Sequence, residues 1–294
     1  MKFSKNISIV LKPKSVTEFV SILPNLMAYL HKRKVKVFFR DYDKDRVSAI
    51  LRNHNYQFDF LKTEKDVHKN SDLIISLGGD GTLLGISRSS RSDSPPILGV
   101  NMGTLGFITE FSKSELYDGL DSFFSGKYKT FKIPLYEVQI PQRKIKLHFM
   151  NDVVVSKSEI SRMISLSATA DGEHVFNLSG DGLIVSSPIG STAYSLAAGG
   201  PIINPSVKAM LLTPICPHSL TNRPLVIPEN TRFEIQSNNI DDVISITLDG
   251  QEAFKLNGKE KVIVKRSSFS AKMINNPNRT YFHTLKVKFT HGRR

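Results

Sequence analysis

The sequence is short of several things, and each shortage closes off a class of function. Its 294 residues include one cysteine, Cys216. No disulfide can form within the chain, and no cysteine-based zinc site exists. The 8 histidines show no metal-ligand spacing. No apolar run approaches the roughly 18 residues of a membrane span, so a membrane is not an expected partner. The run Ile7–Leu11 is ended by Lys12-Pro13-Lys14 and reads as an opening strand, not a signal sequence. A lone cysteine and no span make a reducing cytoplasm the expected compartment. Acid is scarce beside base: 27 Asp plus Glu against 40 Lys plus Arg gives a net charge of +13. Such a balance favours anionic ligands such as nucleotides or polyphosphate. The basic residues alternate with apolar ones, without the aromatic-basic strip of single-strand binders, so nucleic acid is not expected. Two common nucleotide motifs are also missing, the P-loop and a G-x-G-x-x-G following a strand.

What is present begins with Asp72-Leu73-Ile74-Ile75-Ser76-Leu77, which reads as a short buried strand running into Gly78-Gly79-Asp80-Gly81-Thr82. Leu83-Leu84-Gly85-Ile86 then starts a helix. Glycines at such a turn let the backbone take positive φ or approach a ligand closely. A helix opening there presents N–H groups and a positive dipole end that suit phosphate oxygens. Asp80 is the odd residue, because a carboxylate repels phosphate. It either caps the helix or faces a hydroxyl, a proton or a metal ion.

Before that turn, Ile7–Leu11 and Val35–Phe39 read as strands and Lys44–Asn53 as a helix. Val16–Lys32 carries apolar residues at helical spacing, with Ser15 a candidate cap and Pro24 expected to kink or divide the helix. Pro96–Val100 is a further strand, ending at a second glycine-rich turn, Asn101-Met102-Gly103-Thr104-Leu105-Gly106-Phe107. Strands alternating with helices imply a parallel sheet whose ligands sit beyond the carboxyl ends of its strands. A helix from Ser112 to about Gly126 closes this region. After it come short β-type runs separated by Asp171-Gly172, Asp181-Gly182, Asp249-Gly250 and Asn257-Gly258 turns. The expected fold is therefore an α/β N-terminal domain with a parallel sheet, residues 1–130, and an all-β antiparallel C-terminal domain, residues 131–275.

One segment interrupts the β pattern. A strand runs into Gly190-Ser191-Thr192, which is expected to open a two-turn helix stopping at Gly199-Gly200-Pro201, capped by Ser191 or Thr192. Helix punctuation accounts for the segment structurally, and a hydroxyl-lined helix start also suits a nucleotide. Asp181-Gly182 and Asn151-Asp152 each read first as turn residues.

Taken together, Gly78–Thr82, Asn101–Phe107, Asn151-Asp152, Asp181–Val185, Gly190–Ser195 with Ala198–Pro201, Pro214–Leu220, Asn222–Leu225 and Asp249–Gln251 resemble the NAD kinase family in content and order. The Gly-Gly-Asp-Gly turn also occurs in lipid kinases and phosphofructokinases; its combination with Gly-Ser-Thr-Ala-Tyr is much more specific. The resemblance implies transfer of a terminal phosphoryl group from ATP or polyphosphate to the 2′-hydroxyl of the adenosine ribose of NAD, giving NADP, with Mg²⁺ or another divalent ion. It makes Asp80 the base, with Gly81 beside it, and has Asn151 and Asp152 hold nucleoside groups. Arg162, Asp181, Thr192, Ala193, Tyr194, Ser195, Leu196, Ala197 and Gln251 would line the dinucleotide site. It also implies a homo-oligomer, dimer or tetramer, and a C-terminal tail, 276–294, returning to the first domain. Ile189 and Lys132 depart from the family pattern, which has Thr and Arg there. Two other readings stay open: a lipid or sugar kinase sharing the turn, and a non-catalytic dinucleotide-binding protein.

Overall fold

A computed structural model describes residues 5–13, 17–103, 106–158, 163–219 and 221–290. The chain packs as two units, residues 1–133 with 270–294 and residues 134–269.

The first unit is built on parallel strands. Lys5–Leu11 pairs with Val35–Arg40 on one side and Leu73–Gly78 on the other; Phe58–Leu61 extends the first side and Ile97–Asn101 the second. Met273, near the end of the strand Val262–Ile274, pairs with Ile97. Leu73–Gly78 and Ile97–Asn101 are buried along their whole lengths, as strands covered on both faces must be. The chain steps outward from Lys5–Leu11 through two strands, then returns to its other flank with Leu73–Gly78. The strand order therefore reverses between these two, and the Gly79-Asp80 turn leaves the sheet at that switch point, where open α/β sheets bind their ligands.

The helix Phe19–Lys32 buries Phe19, Leu23, Leu26, Met27 and Leu30 against this sheet's core. Of the two outcomes expected of Pro24, division does not occur: the helix runs unbroken through it. The carbonyl left without its helical partner belongs to Val20, an exposed residue, so the loss falls on the solvent side of the helix. The expected cap, Ser15, lies outside the described residues. The strand Phe58–Leu61 and the helix Glu64–Lys69, which starts in a reciprocal Thr63–Asp66 capping box, went unanticipated. So did the short strand Phe111–Ser112, after which the helix expected from Ser112 begins only at Leu116.

The second unit has two antiparallel sheets. One orders Leu225–Pro228, Ala209–Ile215, Gly182–Ser186, Asp152–Lys157, Val243–Leu248 and Glu252–Asn257. The other includes Glu173–Gly180, Ile164–Ala170, Phe233–Ser237 and the first part of Val262–Ile274, with Ile145–Phe149 paired to Thr130–Ile140. Tyr136, Phe149, Val153, Val155, Leu166, Val185, Phe233 and Ile246 fill one shared core from both sheets. The strands Ala209–Ile215, Leu225–Pro228 and Glu252–Asn257 were not foreseen; the last two are edge strands carrying mostly exposed side chains, which hides the alternation that marks a strand.

One ionic cluster fixes the chain just past Lys5–Leu11. The fully buried Asp43 carboxylate pairs with Arg40 at 3.1 Å and with Arg46. Arg40 also donates to the Leu11 carbonyl at 2.8 Å and Arg46 to that of Lys12 at 2.7 Å. Removing one partner from such a buried set strands the others' charge. Asp43→Ala is thus expected to lose about 3–5 kcal/mol of stability, read as a lower urea midpoint at unchanged slope; a loss below about 1 kcal/mol would contradict the assignment.

Candidate active site

Asp80 opens the helix Asp80–Ser87, but its side chain makes no bond to that helix's own amides. It reaches instead to the second glycine-rich turn. Oδ2 accepts the Phe107 N–H at 2.7 Å. Oδ1 accepts the Ile108 N–H at 3.2 Å, the Thr109 N–H at 3.0 Å and the Thr109 hydroxyl at 3.1 Å. A carboxylate offers about four lone-pair positions; Oδ1 is crowded, and Oδ2 keeps one free. The fit is tight. A Cβ built on Gly106 would fall on the Asp80 carboxylate and the Thr109 hydroxyl, so a side chain there must displace the acid. Asn101, at the end of its strand, steadies the same turn: its Nδ2 donates to the Thr109 hydroxyl at 3.0 Å and its Oδ1 accepts the Gly103 N–H at 2.7 Å.

The second unit has its own cluster. Asp249 sits in the hairpin turn between Val243–Leu248 and Glu252–Asn257 with φ of 49°, a left-handed value that Asp tolerates. Its carboxylate accepts the N–H groups of Met150 (3.1 Å), Asn151 (2.7 Å) and Asp152 (3.2 Å). In return the Asp249 N–H donates to the Asp152 carbonyl at 2.9 Å. The Asn151-Asp152 turn is thereby fixed from one side. From the other, Ser187 N–H donates to the Asn151 carbonyl and Ser187 Oγ to that of Met150. Gly190 lies so close to the Asn151 backbone that no Cβ fits between them.

This leaves two side chains with unmet needs. Asn151 Oδ1 is buried with no hydrogen-bond partner, and a buried acceptor of that kind costs about 1–3 kcal/mol until something donates to it. Asp152 is buried, and its pKa is pushed up to about 7, first by desolvation and next by the Asp249 charge; the Tyr194 N–H opposes the shift. Both residues line an open pocket of about 450 Å³ with Val154, Ala193, Tyr194 and Asp249. Near neutrality Asp152 thus offers this pocket a carboxyl that both donates and accepts.

The family descriptions "ATP-NAD kinase N-terminal domain" and "ATP-NAD kinase C-terminal domain" match residues 7–128 and 150–276. The chain belongs to the NAD kinase family. An NAD kinase of Magnetococcus marinus is 40% identical over 233 residues, covering 78% of this chain and 76% of the relative. One of Aquifex aeolicus is 38% identical over 275 residues, 88% of this chain and 100% of the relative. The crystal structure of yeast NADH kinase complexed with NADH superposes with a TM-score of 0.87 at 26% identity, covering 99% of this chain and 89% of that one. The chain is accordingly an enzyme, a kinase that phosphorylates NAD. The readings as a lipid or sugar kinase or as a non-catalytic binder are not favoured.

Of the residues singled out in this kinase's sequence, Asn151, Asp152, Ala193 and Tyr194 come together at the pocket. Gly81 is exposed in the first turn of the Asp80 helix. The expected two-turn helix is instead a tight turn over Ile189–Thr192 and a single turn over Tyr194–Ala197, broken at Ala193, and neither has a side-chain cap. The break has a cause in the hydroxyls. Ser191 Oγ bonds Pro188 and Ile203 backbone, and Thr192 Oγ1 bonds the Ile189 carbonyl, so both serve the turn's interior. Ser195 is buried, its hydroxyl 2.7 Å from that of Thr213. Leu196 is half-buried and Ala197 exposed. Asp181 does not line the pocket; its carboxylate pairs with Lys157 at 2.6 Å. Gln251 is exposed beside the Asp249 turn, and Arg162 lies outside the described residues. Sequence reasoning gave no site role to Thr109 or Asp249. Asp249 left a signal, an Asp-Gly pair, that turn chemistry alone explains; Thr109 left none.

Two outcomes follow. Gly106→Ala should lower both the urea midpoint and kcat, the latter by at least about tenfold, because the added methyl displaces the acid from the bonds that hold the loop; unchanged stability and turnover would rule out the tight fit. Asp152 binds its proton more firmly folded than unfolded. Its contribution to stability is therefore whole below the ordinary carboxylate range and is lost as pH rises through about 7. Asp152→Asn should accordingly raise the melting temperature at pH 8 and leave it unchanged near pH 4. Equal shifts at both values would refute the perturbed ionisation.

Proposed function

We propose that this kinase transfers the terminal phosphoryl group of ATP or polyphosphate to the 2′-hydroxyl of the adenosine ribose of NAD, with Asp80 as the base. The observation that carries the reading is the fixed carboxylate with one unused Oδ2 lone pair. A general base has to be held in place before it is useful, and here four donors on one short loop hold it. In the reaction the 2′-oxygen forms its bond to the terminal phosphorus as the bridging P–O bond breaks. The hydroxyl proton passes to Asp80 Oδ2, and ADP or the shortened polyphosphate leaves.

The nucleoside groups of NAD fall to Asn151, Asp152, Ala193 and Tyr194. The unmet acceptor of Asn151 supports this role, since an amino or hydroxyl group of the ligand would satisfy it. Among the described residues no group of three His, Cys, Asp or Glu side chains is arranged to cage a metal ion. Mg²⁺ binds largely through substrate phosphates and water; when bound it would neutralise phosphate charge. Phosphoryl transfer asks little more of a protein than alignment and charge balance.

The same reading makes the enzyme a cytoplasmic homo-oligomer. Leu225 and Val226, exposed on the edge strand Leu225–Pro228, support association, and the single cysteine suits a reducing compartment. Among the described residues no helix is long and apolar enough to cross a membrane.

With NAD and Mg-ATP, the purified protein should form NADP. Asp80→Asn should lose about 10²–10⁴-fold in rate, the usual worth of a general base, while NAD affinity changes little. A near-normal rate in that variant would sink the assignment.

A further inference from the structure

The loop that holds Asp80 is itself held, and from an unexpected quarter. Arg279, in the returning tail, donates from Nη1 to the Thr109 carbonyl at 2.6 Å. Thr109 is the residue that gives Asp80 Oδ1 both its N–H and its hydroxyl. The guanidinium is nearly buried, and its Nη2 lies 4.0 Å from Glu115. Just ahead of it, Asn276 is 2% exposed and fully engaged. Its Nδ2 donates to the Glu110 carbonyl at 3.0 Å and to Glu115 Oε1 at 2.9 Å, and its own N–H donates to Glu110 Oε2. Its Oδ1 accepts the Asn278 N–H at 3.0 Å, and its carbonyl accepts the Arg279 N–H at 3.1 Å. The tail touches the loop at a second point. In the helix Tyr281–Thr290, the Phe289 ring lies 6.3 Å from that of Phe107, and Lys288 Nζ lies 5.6 Å from the same ring. Phe107 supplies the N–H bound by Asp80 Oδ2.

Arg279 and Asn276 bond the Thr109 and Glu110 carbonyls and the Glu110 and Glu115 carboxylates, all on or beside the loop. A cation on the Thr109 carbonyl fixes the plane of the peptide that follows Thr109, and so holds in place the residue whose own N–H and hydroxyl grip Asp80. We propose that Arg279 is a positioning residue for catalysis, acting through Thr109 to set the aim of Asp80, with Asn276 locking the tail segment that carries it. The proposal rests on Asp80 being the base.

The test is a double-mutant cycle in the full-length protein. Arg279→Met is expected to lower kcat by up to about 100-fold, the scale of a displacement of roughly 1 Å at a reacting group. KM for NAD and for Mg-ATP should stay within about threefold, because Arg279 touches neither substrate. Added guanidinium should restore part of the lost turnover, which it would not do for a general folding defect. In an Asp80→Asn background the same change should cost less than about threefold, since its target is already gone. Losses that multiply across the two variants, or a raised KM for Mg-ATP with kcat intact, or no loss at all, would overturn the proposal while leaving the base assignment standing. A near-normal rate in Asp80→Asn alone overturns the base assignment and the proposal with it. Melting temperature and circular dichroism monitor folding throughout. Should Arg279→Met not fold, Arg279→Lys carries the same cycle, because it keeps the charge and loses the planar fork.

Discussion

The structure of the first unit depends on where one carboxylate spends its hydrogen bonds. At the start of a helix an Asp can satisfy its own helix's amides, a cap worth about 1 kcal/mol. Asp80 forgoes that for the turn 107–109, whose three N–H groups and one hydroxyl converge on it. Charge-assisted bonds of this sort are each worth about 1.5–3 kcal/mol, so the loop wins over the cap. The choice ties together the glycine-rich turns following two neighbouring strands, at the edge where the strand order reverses. Gly106 then has to lack a side chain, because the carboxylate occupies the space one would fill.

The second unit solves a related problem with a second acid. Three successive amides of the 150–152 turn point at the Asp249 carboxylate, a concave arrangement that suits an anion. The electrostatic cost falls on the neighbour: Asp152, buried beside that charge, keeps its proton to about pH 7. One acid builds the turn and the other is left with altered chemistry. Paired carboxylates in unlike surroundings commonly divide labour in this way.

Much of this was legible in the residues, and the exceptions share a cause. The parallel strands Leu73–Gly78 and Ile97–Asn101 announced themselves as apolar runs ending in glycine turns, because burial on both faces leaves no polar alternation. The antiparallel character of the second unit was legible from its Asp-Gly and Asn-Gly pairs. The puzzle of an acid inside a phosphate-type turn was visible at Asp80, but its resolution was not. Three of the four donors to Asp80 are backbone amides 27 to 29 residues onward, and a main-chain donor carries no side-chain signature. The same applies to Asp249, about 100 residues from the turn it organises, and to Arg279, whose acceptor is a carbonyl. At Gly190–Ala197 the residues named a helix start, yet the hydroxyls went to carbonyls inside the turn and broke it in two. Local competition between side chain and helix, which Ser and Thr always offer, decided that segment.

The held Asp80 carboxylate is expected to meet the hydroxyl that is phosphorylated. A crystal structure of this kinase with NAD bound tests it most directly. The expected result places Asp80 Oδ2 at about 2.6–3.2 Å from the ribose 2′-oxygen, with Oδ1 still on the amides of Ile108 and Thr109. A carboxylate swung off the loop onto its own helix's amides, with the 2′-hydroxyl facing some other acid, would contradict it.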